Sequence, residues 1–134
     1  MVPAASFLVH AGSFEMAAGL SLRGHCDTLA AAKKLEQAAV EAVGYGLPCV
    51  WVDCQRLLSL SALGQRAFYN AHQCAQQADT SIYWCGLTPE VQEQLSETGL
   101  HLLLRLLPAS GYRGPAMLLQ DTVPAVQHTR LFAA

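Results

Sequence analysis

Three groups of side chains in this sequence have types and spacings that would permit chemistry. The first is His25-Cys26-Asp27, joined further along by His72 and Cys74. Imidazole, thiol and carboxylate together are the donor set of a zinc site or of a Cys–His nucleophile pair. The spacings fit no recognised zinc pattern, and no third group is placed to orient such a pair. The second group is Asp27 with Asp53, two carboxylates that would suit acid–base work if folding joined them. The plainer reading has Asp27 capping a helix and Asp53 ending a strand. The third is Ser59 and Ser61, which flank Leu60 just ahead of a helical stretch. A serine there is a natural phosphoacceptor, because helix amides and the helix dipole favour a dianion. The plainer reading is that Ser61 caps the helix. The sequence holds no nucleophile elbow and no phosphate-cradling glycine loop. The expectation is a chain that is not an enzyme and needs no metal or cofactor.

Composition narrows the class. The chain has 134 residues, enough for one domain with a real core. Apolar residues make up 52% of it and charged residues only 13%, against roughly 25% charged in an average soluble protein. So low a charge density predicts surface that a partner covers. The net charge of −2, with no basic cluster, argues against nucleic acid. No apolar run reaches the roughly 18 residues of a membrane span. The opening MVPAASFLVHAG lacks the features of a signal peptide. A cytoplasmic protein without membrane insertion is expected. The cysteines are Cys26, Cys49, Cys54, Cys74 and Cys85, an odd number with no C-x-x-C pair. They read as buried free thiols.

The elements that must position these residues centre on Cys49-Val50-Trp51-Val52, a short β-branched and aromatic run without alternation. It predicts a strand buried on both faces, with Trp51 in the core. Asp53 ends it, a loop from Gln55 to Ser61 follows, and a helix runs from about Ala62 to Ala78. Leu63, Ala67, Phe68, Ala71, Cys74 and Ala75 form the predicted inner face of that helix; Gln65, Arg66, Asn70, Gln73 and Gln76 face outward. Upstream, Ser6–His10 and Phe14–Leu22 read as a hairpin broken at Ala11-Gly12-Ser13. Arg23–Asp27 is a loop, and Asp27 or Thr28 caps a helix from Leu29 to Val43 that Gly44-Tyr45-Gly46 ends. Downstream come a buried strand at Ser81–Gly86, with Trp84 in the core, and a helix announced by Thr88-Pro89-Glu90. A last strand is expected over His101–Leu106. The order β-β-α-β-α-β-α-β implies an α/β domain with a mostly parallel sheet of about five strands and three or four helices. Residues 1–107 make the domain; 108–134 are an extension in which Ala116–Leu119 and Val123–Phe132 form a short helix or an arm.

Four landmarks resemble the STAS domain of bacterial anti-sigma factor antagonists, over about Phe7 to Leu106. Leu22-Arg23-Gly24-His25-Cys26-Asp27 is similar to that family's apolar-x-Gly-x-Leu-Asp before the first helix. Val50-Trp51-Val52-Asp53-Cys54 is similar to its strand ending in Asp or Asn. Leu60-Ser61-Ala62-Leu63-Gly64 stands where the family has Asp-Ser-Ser-Gly after an apolar residue. Cys85–Val91 with Ser96–Leu100 resembles its strand, Pro-x-Val helix and closing Gly-Leu.

Aligned on Gly64, the family's Asp is Ser61, its phosphoacceptor serine is Ala62 and the next serine is Leu63. The resemblance therefore implies a binding module without the usual acceptor; Ser61 and Ser59 remain as displaced candidates. It also implies a partner surface made of His25, Asp27, Thr28, Gln55, Arg56, Ser59, Ser61, Ala62, Gly64 and Gln65. The implied partner is a protein: a kinase-like ATPase acting as anti-sigma factor, in bacterial signalling and transcription regulation. The alternative is the ATPase subunit of a lipid-transporting ABC complex, of which this chain would be the small STAS subunit. The apolar tail (Met117, Leu118, Leu119, Leu131, Phe132) suits that alternative, or a homodimer.

Overall fold

The computed structural model describes residues 7–120. The chain opens with a hairpin, β1 (Phe7–Phe14) and β2 (Ala17–Cys26), paired antiparallel without a break in register from Phe7↔Gly24 to Phe14↔Ala17. Helix α1 (Leu29–Val43), strand β3 (Cys49–Leu60), helix α2 (Ala62–Gln77), strand β4 (Ser81–Cys85), helix α3 (Pro89–Thr98) and strand β5 (Arg105–Leu107) follow. The sheet order is β1-β2-β3-β4-β5, and every pairing after the first is parallel. Each parallel crossover moves one strand further in the same direction, so the helices collect on one face. There Leu20, Val52 and Trp84 lie side by side in register, and Trp84 stacks on Phe68 of α2 with ring centroids 3.9 Å apart. Leu35 and Ala39 of α1 and Val91 and Leu95 of α3 close the same core.

Several predicted boundaries move. Ala11-Gly12-Ser13 continues β1; the turn is at Glu15-Met16, with Glu15 at φ 58°. Arg23–Cys26 belongs to β2, and Gln55–Leu60 belongs to β3 rather than to a loop. Polar residues break the apolar run in both, which is why sequence alone suggests loops there. The structure keeps them extended by two register shifts against β2, between Ser21 and Arg23 and between Gly24 and His25, each adding one residue to β3. Asp53 thus lies inside the strand. The last strand starts at Arg105, because Leu100–Leu102 close into a 3₁₀ turn after Gly99, whose φ of 81° stops α3. Leu63 is exposed and Gln65 buried, the reverse of their predicted faces, because α2 turns Gln65 toward α3. Val123–Phe132 lies outside the described residues.

The second face of the sheet has no α-helix over it, only the short 3₁₀ turns Ala109–Gly111 and Ala116–Leu119, the latter being the short helix expected there. Gly19, Trp51 and Tyr83 lie in register there, as do Ser21, Asp53 and Cys85. Trp51 is half-buried against Tyr83, not enclosed in the helix-side core. The segment 108–120 lies across this face. Tyr112, Pro115 and Leu118 crowd the spot where Gly19 has no side chain: a Cβ there would meet Pro115 Cδ at 2.8 Å. Leu118 is fully buried.

What holds the segment down is polar. Ser21 Oγ donates to Asp53 Oδ2 at 3.1 Å, and Arg23 Nε donates to Ser21 Oγ at 3.1 Å. Arg23 NH2 donates to the Leu118 carbonyl at 2.9 Å and the Gln120 carbonyl at 2.5 Å. Asp53 is fully buried, and its other oxygen takes the Gln55 backbone N–H and Nε2. Arg23→Leu keeps the bulk and removes the donors. It should cost about 3 kcal/mol, because the Leu118 and Gln120 carbonyls and the Ser21 hydroxyl that bonds Asp53 lose their charged donor. Hydrogen exchange should speed up first at 112–120; equal acceleration in α1 would refute this role.

Candidate functional site

The carboxyl ends of β2 and β3 meet the amino ends of α1 and α2 along one edge of the sheet. Thr28 caps α1, accepting the Ala31 N–H at 3.1 Å, so Asp27 is not the cap. Asp27 instead reaches across to β3. Ser59 Oγ donates to Asp27 Oδ2 at 2.8 Å, and the Ser61 N–H donates to Asp27 Oδ1 at 3.2 Å. His25 Nδ1 lies 2.8 Å from the same Ser59 hydroxyl and 3.9 Å from Asp27 Oδ2. Since Ser59 donates to Asp27, the hydroxyl accepts from His25 Nδ1–H in this arrangement. The His25 and Asp27 side chains are 51% and 42% exposed, so the cluster faces outward.

Ser61 stands at the N-cap position of α2 without capping it. Its hydroxyl turns back to the Cys26 carbonyl at 3.4 Å. Gly64 explains how closely α2 sits. A Cβ there would lie 2.4 Å from the Cys26 carbonyl oxygen and 2.6 Å from Leu60 Cδ1. Gly64→Ala should therefore push α2 off the end of β2 and cost about 1–3 kcal/mol. Urea unfolding would read this, and an unchanged midpoint would mean that the contact relaxes freely.

The structure divides the proposed surface. His25, Asp27, Ser59 and Ser61 are joined by hydrogen bonds, with Thr28 and Ala62 exposed beside them at the two helix starts. Gln55 and Arg56 belong elsewhere: Gln55 Nε2 donates to Asp53 Oδ1 at 2.9 Å, and Arg56 NH1 lies 3.8 Å from Asp53 Oδ2. Gly64 and Gln65 are buried and shape the site from beneath. Gln94 was not singled out from sequence, yet its Oε1 accepts the Leu60 N–H at 2.9 Å and its backbone oxygen accepts from Gln65 Nε2 at 3.1 Å. A half-exposed glutamine in a helix carries no sequence signal for that role.

The other candidates separate. Among the described residues no group of three or more His, Cys, Asp and Glu side chains comes together as a metal site. Asp27 is exposed at one edge while Asp53 is buried under 108–120, so they form no acid–base pair. Burial, with Asp27 second, pushes the Cys26 thiol up to about 12; burial, with Asp53 second, pushes Cys85 up to about 11. Neither thiol is poised as a nucleophile at neutral pH. His72 is buried on α2, and burial lowers its pKa from 6.5, with Arg105 lowering it further. The unfolded imidazole then binds its proton more readily than the folded one. The stability this contributes is complete above about pH 6.5 and is lost as the pH falls below it. His72→Gln should flatten that slope. Melting temperatures followed from about pH 7.5 to 5 should converge between wild type and variant toward acid; parallel curves would exclude His72 as the source.

Three solved structures with a similar fold are described as anti-sigma factor antagonists, one of them as a putative one. One from Mycobacterium paratuberculosis superposes with a TM-score of 0.67 at 18% identity, covering 80% of this chain and 90% of that one. The fold is the STAS fold. A putative anti-sigma factor antagonist from Thermotoga maritima matches with a TM-score of 0.60 at 10% identity, over 72% of this chain and 83% of that one. The anti-sigma factor antagonist SpoIIAA in its unphosphorylated form matches with a TM-score of 0.56 at 11% identity, over 92% and 97%. No family model matches the chain, and no curated protein matches its sequence. The STAS fold predicted from the four landmarks is thus the observed one, with its mixed sheet of five strands. Among the described residues no helix is long and apolar enough to cross a membrane.

Proposed function

We propose that this chain is a non-enzymatic protein-docking module of the anti-sigma factor antagonist type, working in bacterial signalling. The observation that carries the reading is the exposed His25–Ser59–Asp27 cluster between two helix starts, on a fold whose solved neighbours are anti-sigma factor antagonists. The docking face is His25, Asp27, Thr28, Ser59, Ser61 and Ala62. Its partner is a kinase-like ATPase that acts as an anti-sigma factor. Gly64 and Gln65 support the face from below, while Gln55 and Arg56 face Asp53 and are not part of it.

A phosphate at Ser59 would abolish the hydroxyl that donates to Asp27 and set a dianion against that carboxylate. The cluster would open, and the face would change shape and charge. Ser61 is the lesser candidate, since its hydroxyl is turned toward the Cys26 carbonyl. Ala62 offers no hydroxyl at all. Phosphorylation is thus an added control on the module rather than its basis.

The second reading, a subunit of a lipid-transporting ABC complex, is favoured by the exposed leucines Leu63, Leu102 and Leu103 on a chain of low charge. One experiment separates the two. The tagged chain and its Ser59→Asp and Asp27→Lys variants are used to capture partners from the source organism, with mass spectrometry of both bait and prey. The proposal expects a histidine-kinase-like ATPase, lost by about tenfold or more in both variants, which corresponds to roughly 1.4 kcal/mol. An ABC ATPase arriving with membrane subunits would replace the signalling reading.

A further inference from the structure

A groove lies beside the docking face, between α2 and the turn that follows α3. It has a volume of about 490 Å3 and is lined by Ala62, Gln65, Arg66, Tyr69, Asn70, Thr98, Gly99, Leu100 and Leu103. Its polar side chains are already engaged with the protein. Gln65 bonds the Gln94 carbonyl through Nε2 and takes the Thr98 hydroxyl on Oε1 at 2.6 Å. Asn70 Nδ2 donates to Glu36 Oε2 at 2.7 Å, and Tyr69 OH accepts from Gln73 Nε2. Arg66 is the exception. It is exposed, and no hydrogen bond or ion pair joins it to any described residue. It is also the single charged side chain of the lining.

Two exposed apolar side chains line the groove, Leu103 at 54% exposure and Tyr69 at 38%, and each has an exposed leucine close by in its own element or turn, Leu102 at 78% and Leu63 at 41%. A small-molecule site would need polar groups free to fix an orientation. Here those groups are spent on the protein itself, and the exposed part of the lining includes Leu103 and Tyr69. The walls are helical and offer no strand edge, so an extended peptide would gain no main-chain pairing.

We infer that this groove receives an amphipathic helix of the partner protein, which seats an apolar anchor between Tyr69 and Leu103 and pairs an acidic residue with Arg66. The charge follows from the lining: one cation, unpaired, and no acid. The helix follows from the geometry, since apolar grooves between helices are filled by residues three or four apart on one face. The inference rests on the reading of the chain as a docking module, and it adds a contact separate from the Ser59 cluster.

The test is selection of helix-constrained peptides from a display library against the intact chain, with each winner mapped by amide chemical shifts. The expected winners carry paired Leu or Phe residues with Asp or Glu one turn away and shift Ala62, Arg66, Tyr69 and Leu103. Arg66→Glu should weaken them about tenfold or more, and changing the peptide acid to Lys should restore binding. Winners that ignore the charge swap would overturn the inference. Winners that map to His25, Asp27 and Ser59 alone would overturn it while leaving the docking module standing. A library that yields no binder at either place would sink both. Two further results would assign another occupant and end the proposal: self-association in sedimentation that Arg66→Glu abolishes, or Arg66→Glu shifting the amides of residues 121–134 in the free chain.

Discussion

A carboxylate buried in the sheet organises this molecule. Asp53 sits inside β3 with no exposure to solvent, on the face that carries no α-helix. A charge there is tolerable only if its oxygens are bonded. Ser21, Gln55 and Arg56 meet that need directly, and Arg23 does so through Ser21. Because Arg23 also holds the carbonyls of Leu118 and Gln120, the same network fastens the segment that shields the face. Burial of that segment in turn keeps water from Asp53. It also raises the Tyr112 pKa, first through desolvation and then through Asp53 and Cys85.

The same stretch of β3 leads to the exposed His25–Ser59–Asp27 cluster. Where β3 leaves Asp53, Gln55 and Arg56 fold back toward it, and the strand gains one residue against β2. A second added residue follows before Ser59. A regular strand would place alternate side chains on opposite faces without exception. The two shifts re-aim the end of β3 so that Leu57 and Leu60 enter the core while Ser59 meets His25 and Asp27 of the neighbouring segment. A buried charge on one side of the sheet and an exposed hydrogen-bond cluster at its end are therefore linked by local strand geometry.

Low charge density has an equally concrete meaning in the folded chain. The exposed leucines gather in part around α2 and the turn after α3, next to a groove whose polar groups are bonded internally. Water gains little there, and a partner's apolar side chain would gain more. Ala62, at the first turn of α2, lines the groove and follows Ser61 of the hydrogen-bonded cluster, so the two places adjoin.

The sequence by itself determined the α/β class, the helices α1, α2 and α3, and the buried strand around Val50 and Val52. Those follow from local causes: apolar periodicity, Thr28 and Thr88 as caps, Pro89 at a helix start and Gly99 as a stop. The same residues, with Gly64, made the STAS resemblance legible. Only tertiary structure decided where β3 ends, because Gln55–Leu60 is held extended by pairing with β2 and not by its own propensity. It also decided that Asp27 bonds Ser59 rather than capping a helix, that Gln65 is buried against Gln94 and Thr98, and that 108–120 covers the second face. Each is a contact between residues about thirty or more positions apart, such as Ser59 with Asp27 at a separation of 32 and Arg23 with Leu118 at 95. Local pattern holds no record of such contacts, since a polar residue reads the same whether it meets water or a distant partner.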